Sequence, residues 1–264
     1  IEERNGPVNA FTVVRAESAL AEADELDAVG PSADRPLAGV PIVVKEEYDV
    51  TGDVTTLGGA GNSTPRTADS EVVRRLRAAG AVIVGRTTMP EFGQFPFTES
   101  VATGVTRNPF DLDRSPGGSS GGSAVAVATG MVPVALGADG GGSIRIPASA
   151  CGLVGLKPTR GRISVAPLSQ HWYGLVVLGG MSRSVRDSAL LLDVISGSTP
   201  VDRWSVPPPR EPFAAVAARE PGTLRIAWST KCVTPGVDTD PEITAATAPG
   251  ARALVPRARP GPRA

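Results

Sequence analysis

The sequence predicts an α/β fold with a mixed, mainly parallel-type central sheet flanked by helices. Three observations carry that prediction. Short, almost wholly apolar runs at 38–44, 81–84 and 132–136 have the character of strands buried on both faces. Segments with helical spacing and their own start and stop residues alternate with those runs. The 264 residues are 41% hydrophobic and 20% charged, which suits a packed core. Gly at 31 and Pro at 25 stand well above their usual combined share of about 12%, so many tight turns are expected.

Taken in order, residues 8–29 read as one helix. Val8, Phe11, Val14, Ala19 and Ala21 recur at roughly helical spacing in a stretch rich in Ala, Glu and Leu. A Pro-containing turn at 31–36 leads into the strand 38–44, which ends at Lys45. Thr67 to Ser70 offer N-cap residues for a helix through Val72, Val73, Leu76 and Ala79, stopped by Gly80. The strand 81–84, the apolar helix 121–131 and the strand 132–136 follow. Ser184 with Asp187 resembles a capping box opening a helix through Leu190, Leu191, Val194 and Ile195, which ends at Gly197. Residues 198–222, with Pro207-Pro208-Pro209, read as an exposed loop, and 223–228 as a late strand. Pro249-Gly250 interrupts a helix begun at Glu242. Residues 249–264 hold four Pro and four Arg with no acid, and read either as non-native sequence or as a basic disordered tail.

A net charge of −1 gives no broad footprint for nucleic acid or an anionic membrane. No apolar run approaches the ~20 residues of a spanning helix, and no charged-then-apolar signal segment opens the chain. The expectation is a cytoplasmic protein. Cys151 and Cys232 make neither a disulfide framework nor a zinc cluster. With His171 the single histidine, chemistry needing two histidine ligands is excluded.

Two glycine clusters hold the candidate chemistry: Ser115 to Ser123, and Gly137 to Arg145. By composition the first is a linker, yet it feeds directly into the apolar Ala124 to Val127. A phosphate cradle is a weak reading, because neither dinucleotide nor P-loop spacing is present. Gly117-Gly118-Ser119-Ser120-Gly121 satisfies G-x-S-x-G, with Asp139 and His171 following in triad order, but such a match is cheap in a glycine-rich run. His171 reads more readily as a packed or pocket-lining residue. A serine activated by a desolvated neutral lysine needs no histidine, and Lys45 ends a buried strand. A lysine snorkelling from a strand end is the plainer account of that residue type.

Ordered blocks along nearly the whole chain decide among these. They are Gly39 to Lys45, Arg77 to Thr87, Pro90 to Gly93, Thr106 to Phe110, Gly117 to Ala124, Gly140 to Arg145, Gly152 to Thr159, and Gly161-Arg162. In these blocks the chain resembles the amidase signature family, the Ser-cisSer-Lys amidohydrolases. The resemblance implies hydrolysis of linear carboxylic amides to an acid and ammonia or an amine. Ser143 would be the nucleophile. Ser119, after a cis peptide at Gly118, would be the bridge, and Lys45 the base and later the acid. The N–H groups of Gly140, Gly141, Gly142 and Ser143 would form the oxyanion hole. Ser120, Asp139 and Arg145 would support the loops. No metal and no organic cofactor is implied, and the partner is a small-molecule amide. No contact with nucleic acid or membrane is expected. Full-length members are often homodimers.

Some features depart from the family pattern. Glu46-Glu47-Tyr48 follows Lys45 where Asp and then a small or amide residue is commoner, and Gly180-Met181 stands where Gly-Pro is common. Family members are also longer. Residues 1–248 are therefore expected to be a partial amidase signature domain, incomplete at both ends, followed by the aberrant tail 249–264. A catalytically inactive fragment, and an amidotransferase subunit acting on tRNA-linked glutamate or glutamine, stand as alternatives. His171, Trp172, Tyr173 and Leu175 read as a wall of the acyl pocket or as ordinary packing.

Overall fold

A computed structural model describes residues 1–253 apart from Pro31, Thr223, Ile226 and Val233, without the side chains of 251–253. It begins with α1 (Glu2–Val8), β1 (Phe11–Val14) and α2 (Ala16–Val29). Next come β2 (Pro41–Lys45), α3 (Glu71–Ala78), β3 (Val82–Thr87) and a small hairpin of β4 (Glu99–Ser100) and β5 (Gly104–Val105). After these come α4 (Gly121–Ala128), β6 (Val134–Asp139), α5 (Arg145–Ala150), β7 (Val154–Leu156) and β8 (Val177–Ser182). The last helices are α6 (Val185–Ile195), α7 (Phe213–Ala217) and α8 (Pro241–Ala253).

Six strands form one sheet in the order β1-β3-β2-β6-β8-β7. At its centre β2 runs parallel to both β3 and β6, and the outer pairings are antiparallel. Side chains of β2 alternate between two cores, as strand geometry requires. Ile42 and Val44 pack with Val72, Leu76 and Leu191 on the α3 and α6 face. Val43 packs with Val125 and Ile144 on the α4 and α5 face. With helices on both faces, the central strands must be apolar throughout, which is why they read as continuous runs. Among the described residues no helix is long and apolar enough to cross a membrane.

Several elements differ from the sequence expectation. The single helix expected over 8–29 is two helices with a strand between them. Asn9 turns left-handed at φ 49 and ends α1, and Phe11 to Val14 pair antiparallel with β3. Edge pairing of a β-branched segment outweighs its helix-like spacing. The loop expected at 198–222 contains α7, whose first N–H groups, from Phe213 and Ala214, donate to the Asp193 carboxylate at 2.6 and 2.9 Å. Pro249 lies inside α8 and does not end it. The expected strand at 223–228 falls partly outside the described residues, and Leu224, Arg225, Ala227 and Trp228 are not in a strand. Most of the expected tail lies outside them as well. The capping box holds: Ser184 Oγ accepts the Asp187 N–H at 3.1 Å.

The chain divides into two compact units, Ile1–Arg219 and Glu220–Ala264. The whole sheet, and the site below, belong to the first.

Candidate active site

Because β2 and β6 are parallel neighbours, their C-terminal ends reach the same edge of the sheet. Open α/β sheets bind ligands at such an edge. Lys45 is the last residue of β2 and Asp139 the last of β6. The loop before α4 brings Ser119 and Ser120 to the same edge, with Ser120 as the helix N-cap residue.

Lys45 is buried, and its Nζ donates to Ser119 Oγ at 2.8 Å. The peptide bond from Gly118 to Ser119 is cis. A side chain at Gly118 would collide with the Phe97 carbonyl, 2.4 Å from an ideal Cβ, so only glycine fits there. Lys45, Glu47, Ser119, Ser143, His171 and Trp172 line one cleft of about 200 Å³. Among the described residues the Ser143 hydroxyl makes no hydrogen bond, so it is free to face a ligand.

Asp139 shapes the second glycine cluster. Its buried carboxylate accepts N–H groups from Gly142 at 2.8 Å and from Ile144 at 3.3 Å. Arg145 adds a two-pronged pair, Nε to Oδ2 and Nη2 to Oδ1, each at 2.8 Å. Burial alone would raise the Asp139 carboxyl, but these donors, Arg145 foremost, hold it below its ordinary value. Gly142 has φ 126, a conformation that favours glycine. Gly142 was expected among the oxyanion donors; instead it gives its N–H to Asp139. Among the described residues the N–H groups of Gly141 and Ser143 have no acceptor. A Cβ on Gly140 would lie 2.6 Å from the Trp172 ring, which covers that residue.

Ser120 joins the two loops. Its N–H donates to the Ser143 carbonyl at 3.2 Å. Its hydroxyl bridges both polar groups of Ala138 at 3.3 Å.

The Ser-Asp-His alternative fails on geometry. Asp139 is spent on Arg145 and its own loop, and among the described residues it makes no hydrogen bond to His171. Burial pushes His171 below its ordinary value, Glu47 pulls it up and Lys45 pushes it down. It is a neutral wall residue of the cleft.

Sequence reasoning missed the parts of the site that depend on turns. Glu46, next to Lys45, is buried and accepts Arg86 Nε at 3.1 Å, Thr12 Oγ1 at 2.6 Å and Thr56 Oγ1 at 3.0 Å. That network fixes the chain as it leaves β2. Glu47 then enters the cleft, with Oε1 3.1 Å from Lys45 Nζ. Gly93 covers the Lys45–Ser119 pair, since a Cβ there would lie 3.2 Å from Ser119 Oγ. Phe92 and Trp172, both cleft residues, adopt left-handed φ values of 55 and 48 that bulky side chains rarely take. The sequence signals for these were the unusual Glu46-Glu47-Tyr48 turn, the Pro90 to Gly93 block and, for Trp172, its reading with His171 as a pocket wall.

Known proteins resemble this chain over most of its length. A family model described as Amidase matches residues 1–255. AmiB2 of Mycobacterium bovis, which carries an amidase name, is 54% identical over 236 residues, covering 89% of this chain and 49% of its own. The 6-aminohexanoate-cyclic-dimer hydrolase of Paenarthrobacter ureafaciens is 44% identical over 261 residues, covering 96% and 52%. A solved structure of 6-aminohexanoate cyclic dimer hydrolase complexed with substrate superposes with a TM-score of 0.88 at 42% identity, covering 96% of this chain and 52% of that one. The chain thus spans about half the length of the curated relatives it matches.

Proposed function

Because this chain belongs to the amidase family, we propose that it hydrolyses linear carboxylic amides through an acyl-enzyme formed on Ser143. The observation that carries the reading is the 2.8 Å hydrogen bond from Lys45 Nζ to Ser119 Oγ, in the cleft that Ser143 also lines. A lysine within hydrogen-bond reach of a serine hydroxyl can serve as its base without a histidine.

The steps follow from the order of these groups. Ser143 Oγ attacks the carbonyl carbon as its proton passes to Ser119 Oγ. Ser119 passes its own proton to Lys45 Nζ. The oxyanion meets the N–H groups of Gly141 and Ser143, with Gly140 beside them. Preorganised donors of this kind contribute about 3–4 kcal/mol each to lowering the barrier. When the C–N bond breaks, the proton returns from Lys45 through Ser119 to the leaving nitrogen. Water then repeats the cycle on the ester and frees the acid and Ser143.

The test is amine release by the purified chain from a panel of linear amides, with a cyclic diamide as the comparison substrate. The reading predicts turnover of the linear amides without any partner protein, and its loss in Ser143→Ala. Turnover that survives Ser143→Ala contradicts it, and a preference for the cyclic diamide corrects the substrate class.

A further inference from the structure

Two glutamates follow Lys45, and they do different work. Glu46 is saturated: Arg86, Thr12 and Thr56 all donate to its carboxylate. Glu47 is not. Its Oε1 is buried without a hydrogen-bond partner among the described residues. It nevertheless lies 3.1 Å from Lys45 Nζ, with the two side chains 9% and 1% exposed. The contact is one of charge, while the directed hydrogen bond of Lys45 goes to Ser119. A buried carboxylate oxygen without hydrogen bonds is costly, so a positive charge arising on the neighbouring Lys45 is stabilised there.

We propose that Glu47 is a positioning residue of the proton relay: its carboxylate is the counter-charge for the ammonium that Lys45 becomes during acylation. This inference rests on the relay of Ser143, Ser119 and Lys45 proposed above. As Ser143 Oγ bonds to the carbonyl carbon, the carbonyl electron pair moves to oxygen and the Ser143 proton moves to Ser119. The Ser119 proton moves to Lys45, creating a positive charge next to Glu47. That charge disappears when the proton returns to the leaving nitrogen. Glu47 itself neither gains nor loses a proton. It stabilises the charged relay more than the neutral one, and this differential effect is what lowers a barrier.

Among the described residues no other group facing the pair supplies that negative charge. His171, across the cleft, is held neutral chiefly by burial. Tyr48, on the same turn, is raised well above its usual value, first by burial and then by the Glu47 charge, so its phenol stays neutral. Its hydroxyl is given to the Gly137 carbonyl at 2.6 Å. Glu46 is paired with Arg86, and Asp139 on the neighbouring strand with Arg145.

The experiment compares the full chain with Glu47→Gln and Glu47→Asp by two readouts. The first is the ¹⁵Nζ titration of Lys45, tractable because the sequence has only three lysines. The second is the rate of Ser143 labelling by a fluorophosphonate across pH. Glu47→Gln should move the Lys45 midpoint to lower pH by about one unit or more, the scale of an opposite charge at this range. The acid limb of labelling should move with it, and the plateau rate should fall about tenfold. Glu47→Asp keeps the charge and should lie between. Identical Lys45 titrations in the full chain and Glu47→Gln overturn the proposal. So does slower labelling with an unmoved acid limb, the mark of a purely structural residue. If the Lys45 midpoint moves but Ser143 never labels, the charge coupling stands and the hydrolase reading fails.

Discussion

The N–H of Ser120 donates to the carbonyl of Ser143 at 3.2 Å, tying together the two loops that carry the candidate serines. Ser119 is therefore positioned against Ser143 by main chain rather than by their own hydroxyls. The Ser120 hydroxyl in turn holds the end of β6 at Ala138. Replacing Ser120 with Ala removes the hydroxyl and keeps the main-chain bond. Stability should fall by about 1 kcal/mol, the usual worth of such bonds. Denaturant unfolding measures it, and the Ser143 labelling rate should fall less than in a variant of either serine.

Gly140 and Trp172 are packed without room for a methyl group. Gly140→Ala should push the indole or the glycine loop aside and slow Ser143 labelling by about 10–100-fold, part of the roughly 100–1,000-fold that losing one aligned oxyanion donor costs. Trp172→Ala in the same chain should recover part of the loss. A double-mutant cycle on labelling rates reads the coupling, and strict additivity would show that the two residues do not interact.

Asp139 links stability to pH. Its folded carboxyl titrates below its ordinary value, so its contribution is full above the unfolded value and is lost as pH falls through the folded one. Asp139→Asn should cost about 2–3 kcal/mol at neutral pH, the loss of charged hydrogen bonds to Arg145 and the loop. The difference from the unsubstituted chain should shrink on acidification. Urea unfolding at several pH values tests both the size and the sign.

His171 works in the same direction at higher pH. Its neutral form is favoured in the fold, so the unfolded chain takes up a proton first as pH falls below about 6.5, and stability drops there. His171→Gln should remove that component and should leave Ser143 labelling within a few-fold. Loss of labelling in His171→Gln would restore the histidine alternative.

The Arg86–Glu46 pair is buried on both sides, with side chains 0% and 2% exposed. Arg86→Met leaves the Glu46 carboxylate uncompensated, and should destabilise the fold by about 3–5 kcal/mol. Because that pair fixes the turn after β2, Ser143 labelling should fall under conditions where the variant is still folded. Circular dichroism and labelling on one sample separate the two effects.

How much of this was legible in the sequence depends on the kind of residue. β2 and β3 were visible because a strand covered on both faces must be apolar throughout. The ordered glycine and serine blocks pointed to Lys45, Ser119 and Ser143, and the structure brings those three to one cleft. β8 was missed because Gly179 and Gly180 interrupt its pattern. There the neighbours leave no space: a Cβ would meet the Leu156 carbonyl at 2.6 Å and Leu191 Cδ2 at 2.2 Å. β1 was missed because its pairing with β3 is a tertiary fact that helical spacing conceals. Glu47 and Gly93 reach the site only through turn geometry, so their residue types said little about where they would face. Gly142 carried the right motif, but the Asp139 contact sets what its N–H does.

The central claim is that Ser143 is a nucleophile activated by Lys45 through Ser119. The direct test treats the purified chain with a fluorophosphonate and maps the adduct by peptide mass, beside a folded Lys45→Ala control. The account predicts one adduct, on Ser143, that disappears in the control. An adduct on Ser119, or one on Ser143 that persists without Lys45, would contradict it.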